Sequence, residues 1–236
     1  MNIDSTNING LDFPVFYRPD SNDVETANFI FTKSPLVLKR GFFSPKTIDS
    51  SFEPKFIIDG GAYAGYSSIF FSLVYPDARV AAVEPESDNF ELLKMNVEHY
   101  PKIKPLNLAL WSHETQLEIV NPDQETDSFM TQKISDPENQ KDRALTQSVT
   151  IEQIFKASDS DFIDILKLNV NGAEREIFSE DSHYQSWLPY TKVLIIELHD
   201  RMKRDCSHNF FHAISWYDYF FMQAEDNLIF IREDLL

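Results

Sequence analysis

Two carboxylates and two glycines stand at spacings that suit a small charged ligand. The run Asp59-Gly60-Gly61-Ala62-Tyr63-Ala64-Gly65 reads D-x-G-x-x-x-G, and Glu84 follows Asp59 by 25 positions with Pro85 directly after it. A dinucleotide fingerprint would read G-x-G-x-x-G after a strand. Here an acid opens the turn, and its carboxylate suits a cationic group better than a pyrophosphate. Gly61 and Gly65 permit close backbone approach or positive φ. A carboxylate placed as Glu84 is can accept both hydroxyls of a ribose. A cation, a ribose and no phosphate together describe S-adenosyl-L-methionine. The competing reading is a plain turn whose glycines serve geometry alone.

Holding those groups requires two strands and a helix. Phe56-Ile57-Ile58 is a short apolar run before the turn, Tyr66 to Tyr75 is aromatic and aliphatic, and Val80-Ala81-Ala82-Val83 is a second apolar run ending on Glu84. This is the pattern of a βαβ unit with buried parallel strands, which binds ligands at the carboxyl ends of its strands. The chain has 236 residues and 42% hydrophobic content, which suits one α/β domain with an elaboration. With Lys plus Arg at 21 and Asp plus Glu at 38, the net charge is -17. Such a surface repels phosphate backbones, so nucleic acid is not an expected partner, and no membrane partner is expected either. Cys206 is the single cysteine, so no intrachain disulfide forms. The polar stretch from Met1 to Gly10 lacks the pattern of a signal peptide, and no apolar run approaches the ~20 residues that span a bilayer. A soluble, cytoplasmic protein is expected.

Residues 1–54 are rich in Asn, Asp, Ser and Pro, and we expect an extension that packs on a main domain of residues 55–236. Its Tyr17, Arg18, Lys39 and Arg40 are candidates to face a substrate, although solvated surface is the plainer reading. Asp88 with Glu91 forms a capping-box-like pattern before a helix carrying Phe90, Leu93, Val97 and Tyr100. Pro105 to Leu110 is a strand candidate, and so is the period-two run Gln116 to Val120. Residues 121–148 are polar and hold Pro122 and Pro137, which predicts a lid or a flexible loop. Ile163 to Val170 and Val193 to His199 read as strands, with a helix opening at Gly172-Ala173-Glu174 between them. From Phe210 to Arg232, aromatic-rich runs read as closing strands.

Three blocks carry a resemblance. F-I-I-D-G-G-A-Y-A-G-Y, A-V-E-P-E-S-D-N-F-E-L-L-K-M-N-V and D-I-L-K-L-N-V-N-G-A-E look like the signature blocks of the FkbM-type methyltransferases, in the expected order. The resemblance implies a Rossmann-like class I methyltransferase fold: a mostly parallel seven-stranded sheet with helices on both faces. S-adenosyl-L-methionine is then the cofactor. It would be held by Asp59, Gly60, Gly61, Ala62, Gly65, Glu84 and Pro85, with Ala109 and Leu110 beside the adenine. The family's strand order places the strand of Lys167 beside that of Glu197, so Lys167 would neighbour Glu197 and Asn169 would neighbour His199.

Methyl transfer from a sulfonium is an in-line displacement, and positioning alone can supply roughly 7–11 kcal/mol. A hydroxyl acceptor must also lose a proton. His199 titrates near neutrality and is the candidate base, with Asp200 to orient it or to bind a cation. The opposing possibility is a histidine that is merely hydrogen-bonded at a strand end. Asn169 and Asn171 stand where the family usually carries Asp and Glu, and Tyr63 stands where it more often carries Asn. An amide is no base and a weaker cation ligand than a carboxylate. The expected activity is O-methylation of a hydroxyl on a small metabolite, natural product or glycan. N-methylation, or cofactor binding without turnover, are the alternatives.

Overall fold

The computed structural model describes residues 2–7, 11–33, 52–121, 125–134 and 143–235, so Lys39 and Arg40 lie outside the described residues. The chain begins with a two-stranded antiparallel ribbon, β1 (Asp4–Thr6) and β2 (Val15–Tyr17), followed by α1 (Asp23–Lys33). The first βαβ unit is β3 (Phe56–Gly60), α2 (Tyr66–Val74) and β4 (Arg79–Val83), and α3 (Ser87–Val97) leads on to β5 (Ile103–Leu106). Short strands β6 (Ala109–Leu110), β7 (Gln116–Val120), β8 (Met130–Lys133) and β9 (Ala144–Val149) come next, then α4 (Ile151–Ala157) and β10 (Ile163–Leu168). The chain closes through α5 (Glu174–Ile177), β11 (Thr191–Ile196), α6 (Cys206–Ile214), β12 (Tyr219–Ala224) and β13 (Asn227–Arg232).

The main sheet has seven strands in the order β12-β13-β11-β10-β3-β4-β5. The strands from β11 across to β5 pair in parallel, and β13 runs antiparallel to both β11 and β12. This is the Rossmann-like arrangement that the resemblance implied. Because side chains alternate across a strand, the apolar strands build two cores. Ile58, Val83, Leu166, Leu168, Leu194 and Ile196 pack on one face, while Ile57, Val80, Ile165, Val193 and Ile195 pack on the other.

Local chemistry shifts several boundaries. Glu86 caps α3, its carboxylate accepting from the Asn89 amide at 2.8 Å, and Asp88 sits inside the first turn instead of capping it. The strand candidate at Pro105 to Leu110 divides into β5 and β6. The stretch 121–148, expected as a loop, contributes β8 and most of β9, which flank β7 in an antiparallel sheet. The buried positions of these two strands are themselves polar, Thr131, Thr146 and Ser148, so apolar alternation gives no strand signal there. Phe210 and Phe211 belong to α6, not to a closing strand, and Phe210 is fully buried against Phe178 and Phe230. The described part of the N-terminal extension hydrogen-bonds to α2 and α3. The Phe16 amide donates to Asn96 Oδ1 at 2.7 Å, and the Tyr66 hydroxyl donates to the Phe16 carbonyl at 3.0 Å. Among the described residues no helix is long and apolar enough to cross a membrane.

Candidate active site

At the carboxyl ends of β3, β4, β10 and β11 lies a cavity of about 270 Å³. Its wall includes Gly61, Ala62, Glu84, Pro85, Ala109 and Leu110, six of the nine residues expected at the cofactor. Gly60 and Gly65 serve the turn from behind. A Cβ on Gly60 would meet Leu110 Cδ1 at 2.4 Å. Gly65 has a φ of 86° and lies against Leu93. Gly61 is the most constrained: its φ is 70°, and an added Cβ would stand 1.7 Å from the Asn169 carbonyl oxygen.

Asp59 is the exception among the expected ligands. It is fully buried beneath the turn, off the cavity wall, where its Oδ2 accepts from the Ser67 and Ser68 hydroxyls at 2.6 Å each. Its Oδ1 faces Lys167 Nζ at 3.0 Å as an ion pair lacking hydrogen-bond alignment. Lys167 in turn donates to the Gly61 carbonyl at 2.8 Å. Register explains the change of partner: Lys167 pairs with Asp59 on β3 and with Ile195 on β11, not with Glu197. Asp59 therefore anchors the turn, and Lys167 is the one cation among the described residues of the wall.

Glu84 is oriented by backbone. Its Oε2 accepts from the Tyr63 amide and its Oε1 from the Glu86 amide, each at 3.0 Å. Burial nonetheless raises its carboxyl to about 7, because those amides only partly offset the lost hydration. Each oxygen keeps a lone pair for a further donor. A vicinal diol would supply two hydroxyls there, and the apolar pair Ala109 and Leu110 would flank a flat ring. The residues present thus fit the nucleoside of S-adenosyl-L-methionine, and Lys167 would meet the carboxylate of its amino-acid tail.

At the far end of the cavity, Asn169 Nδ2 donates to Glu197 Oε2 at 2.9 Å, and both residues line the wall. His199 lies behind them, off the wall. Its Nδ1 stands 2.7 Å from Glu174 Oε1 and its Nε2 stands 3.3 Å from Glu197 Oε1. Burial favours the neutral ring, but hydrogen bonds and charges from Glu174 and Glu197 outweigh it and raise His199 to about 9. With both ring nitrogens turned to carboxyl groups and the ring off the wall, His199 does not stand where the base expected of it would act. Asp200 does not orient it either, because Asp200 Oδ2 accepts from the Ser207 amide at 3.0 Å and from the Ser207 hydroxyl. Burial would push the Glu197 carboxyl up, yet its hydrogen bond to His199 and the charges of His199 and Lys167 bring it below the usual range.

The N-terminal extension and the residues after β7 close the cavity. Thr26, Phe29 and Ile30 of α1 line it, as do Asp127 and Phe129. Tyr63 links the two, its hydroxyl meeting Asp23 on one side and Thr126 Oγ1 at 2.6 Å on the other. Arg18 pairs with Asp23 at 2.8 Å and lies over the Tyr63 ring, so its role is to hold α1, not to face a ligand. Asn171 Nδ2 donates to the carbonyls of Asp127 and Phe129 at 2.7 and 3.1 Å, which a carboxylate could not do. Tyr63, Asn171, Glu197 and Glu174 escaped the list of expected site residues. The signals were present: Tyr63 and Asn171 depart from the family pattern, and Glu174 and Glu197 are acids next to strand ends.

Residues 59–225 match the model of the methyltransferase FkbM domain. The chain belongs to the FkbM methyltransferase family. That family uses the class I, S-adenosylmethionine-dependent fold. Methyltransferase FkbM from Methylobacillus flagellatus KT superposes with a TM-score of 0.51 at 14% identity. The match covers 76% of this chain but only 43% of that protein, which is therefore much the longer of the two. An O-methyltransferase from Bacillus cereus in complex with SAH aligns at 10% identity and a TM-score of 0.43, covering 75% of this chain and 74% of that one. A precorrin-6y C5,15-methyltransferase from Geobacter metallireducens GS-15 aligns at 11% identity and a TM-score of 0.41, covering 77% and 80%. No curated protein matches the chain.

Proposed function

We propose that this FkbM-family chain methylates a hydroxyl on a small metabolite, natural product or glycan, with S-adenosyl-L-methionine as donor. The observation that carries the reading is one cavity with unlike ends: Glu84 between two backbone amides at one end, and Asn169 bonded to Glu197 at the other. When bound, the cofactor supplies an electrophilic methyl group on sulfur. Glu84 would hold the ribose hydroxyls, Ala109 and Leu110 would line the side of the base, and Lys167 would meet the tail carboxylate. Asn169 and Glu197 face the acceptor, and Phe29, Ile30 and Phe129 keep water from it. The acidity of the chain argues against a nucleic-acid acceptor.

A second reading, N-methylation, draws on one observation. Among its described residues the wall carries the carboxyl groups of Glu84, Asp127, Glu197, Glu225 and Asp226 against one cation, Lys167, a balance that suits an amine-bearing acceptor. Calorimetry with S-adenosylhomocysteine tests the shared part of both readings. Binding in the micromolar range is expected, with no heat from a nicotinamide dinucleotide; the reverse result overturns the proposal. Hydroxyl acceptors tested against their amine counterparts then separate the two.

A further inference from the structure

We propose that Glu197 takes the proton released by the acceptor hydroxyl, and that His199 and Glu174 are positioning residues that hold it in place. The inference rests on the hydroxyl-methylation reading. It begins with the two bonds that fix Glu197. Asn169 Nδ2 lies 2.9 Å from its Oε2, and His199 Nε2 lies 3.3 Å from its Oε1. A carboxylate only accepts, so the amide nitrogen of Asn169 must face it. The same logic applies to His199, because both ring nitrogens face carboxyl oxygens and the doubly protonated ring satisfies both. Glu174 is itself pinned from behind, its Oε2 accepting from the Gly172 amide at 2.8 Å.

The step balances with groups already named. The acceptor oxygen bonds to the methyl carbon while the carbon–sulfur bond breaks, its electron pair staying on sulfur. The O–H proton passes to Glu197, leaving a methyl ether, a neutral thioether and a carboxylic acid. A strong base is unnecessary, because the oxygen becomes oxonium-like as its new bond forms and its proton grows correspondingly acidic. An ionised carboxylate within reach suffices, and the imidazolium keeps Glu197 ionised. The charged and titratable groups around Glu197 are His199 on its own segment, Lys167 on β10, and Glu225 and Asp226 on the β12–β13 turn. His199 faces Glu174 of α5, which also neighbours the Cys206 thiol of α6.

Two experiments decide it. The first needs no acceptor: nitrogen NMR of histidine-labelled protein bound to S-adenosylhomocysteine. His199 should be doubly protonated at neutral pH and deprotonate near 9, with Glu197→Gln lowering that value. A neutral His199 ring at pH 7.5 overturns the positioning role. The second follows transfer of labelled methyl from S-adenosyl-L-methionine to a panel of methyl glycosides and their amino counterparts. Glu197→Gln should lower kcat on hydroxyl acceptors by roughly 10²-fold or more, a typical general-base contribution, with S-adenosylhomocysteine affinity unchanged. A kcat within threefold of the parent, or an equal loss of cofactor affinity, overturns the assignment. Asn169→Asp should move the acidic limb of the pH profile upward, since two carboxyls would then share a proton. His199→Gln alone strands Glu174 and risks misfolding. The double variant Glu174→Gln/His199→Gln removes that charge and should still shift the acidic limb; an unshifted limb counts against the proposal. Failure of the parent protein to bind S-adenosylhomocysteine would instead defeat the cofactor reading on which this rests.

Discussion

Glu84 and Glu197 are the same residue type at opposite ends of one cavity, and the structure drives them in opposite directions. Glu84 is buried with backbone amides for company and no cation, so its carboxyl rises to about 7. Glu197 is partly exposed beside an imidazolium, so its carboxyl falls. The contrast assigns roles. A carboxyl that is uncomfortable when empty gains most from two hydroxyl donors, which suits a ribose site. A carboxyl held ionised suits a proton acceptor. Lys167 stands between them, paired with Asp59 and bonded to the Gly61 carbonyl while it also lines the cavity.

The largest effect is expected from breaking that central pair. Lys167→Met leaves Asp59 as an unpaired charge with 0% exposure, and loss of one partner in a buried pair costs about 3–5 kcal/mol. Urea unfolding should show it, and a loss below about 1 kcal/mol would mean that the turn does not depend on the pair.

The two ends should next separate by pH. His199 is raised from 6.5 to about 9 on folding, so its stabilisation is complete below 6.5 and fades as pH rises through 9. The amount lost is about 3 kcal/mol. Glu84 is raised from 4.5 to about 7, so the unliganded protein should weaken as pH climbs from 4.5 to 7. Glu84→Gln should therefore stabilise the unliganded protein at pH 8 and leave it unchanged at pH 4. The same variant should lose roughly 100-fold in S-adenosylhomocysteine affinity, the equivalent of one or two charge-assisted hydrogen bonds. Calorimetry and thermal unfolding on one sample would check both signs.

The smallest effect concerns closure. Asn171 has a φ of 49°, which Asn171→Gly preserves while deleting the two bonds to Asp127 and Phe129. Global stability should fall by about 1 kcal/mol, with hydrogen exchange of residues 126–129 speeding up roughly tenfold. Unchanged exchange would remove Asn171 from the closure of the cavity.

Much of this is legible in the sequence. Strands over Phe56–Ile58, Val80–Val83 and Ile163–Val170 announced themselves as continuous apolar runs, because a strand buried on both faces admits little else. Glu84 at the end of the second run, and the glycine turn before it, located the cavity. What misled was partnership. Asp59 and Glu84 look equivalent in sequence, yet only the fold shows that Ser67, Ser68 and Lys167 close over one of them. His199 has the intrinsic pKa of a base, but the fold turns its two ring nitrogens to Glu174 and Glu197, whose hydrogen bonds and charges raise it to about 9.

The division follows from range. Periodicity, glycine spacing and net charge are local or summed properties, so the sequence alone determined the α/β class, the βαβ unit, the acidic balance and the strand ends at which the cavity lies. Register, burial and side-chain pairing couple residues far apart in the chain: 108 positions separate Asp59 from Lys167, and 25 separate Glu174 from His199. Only the tertiary structure decided which carboxylate is sealed, which lines the cavity and which histidine stands between two acids, because those outcomes depend on what each group meets when water is removed.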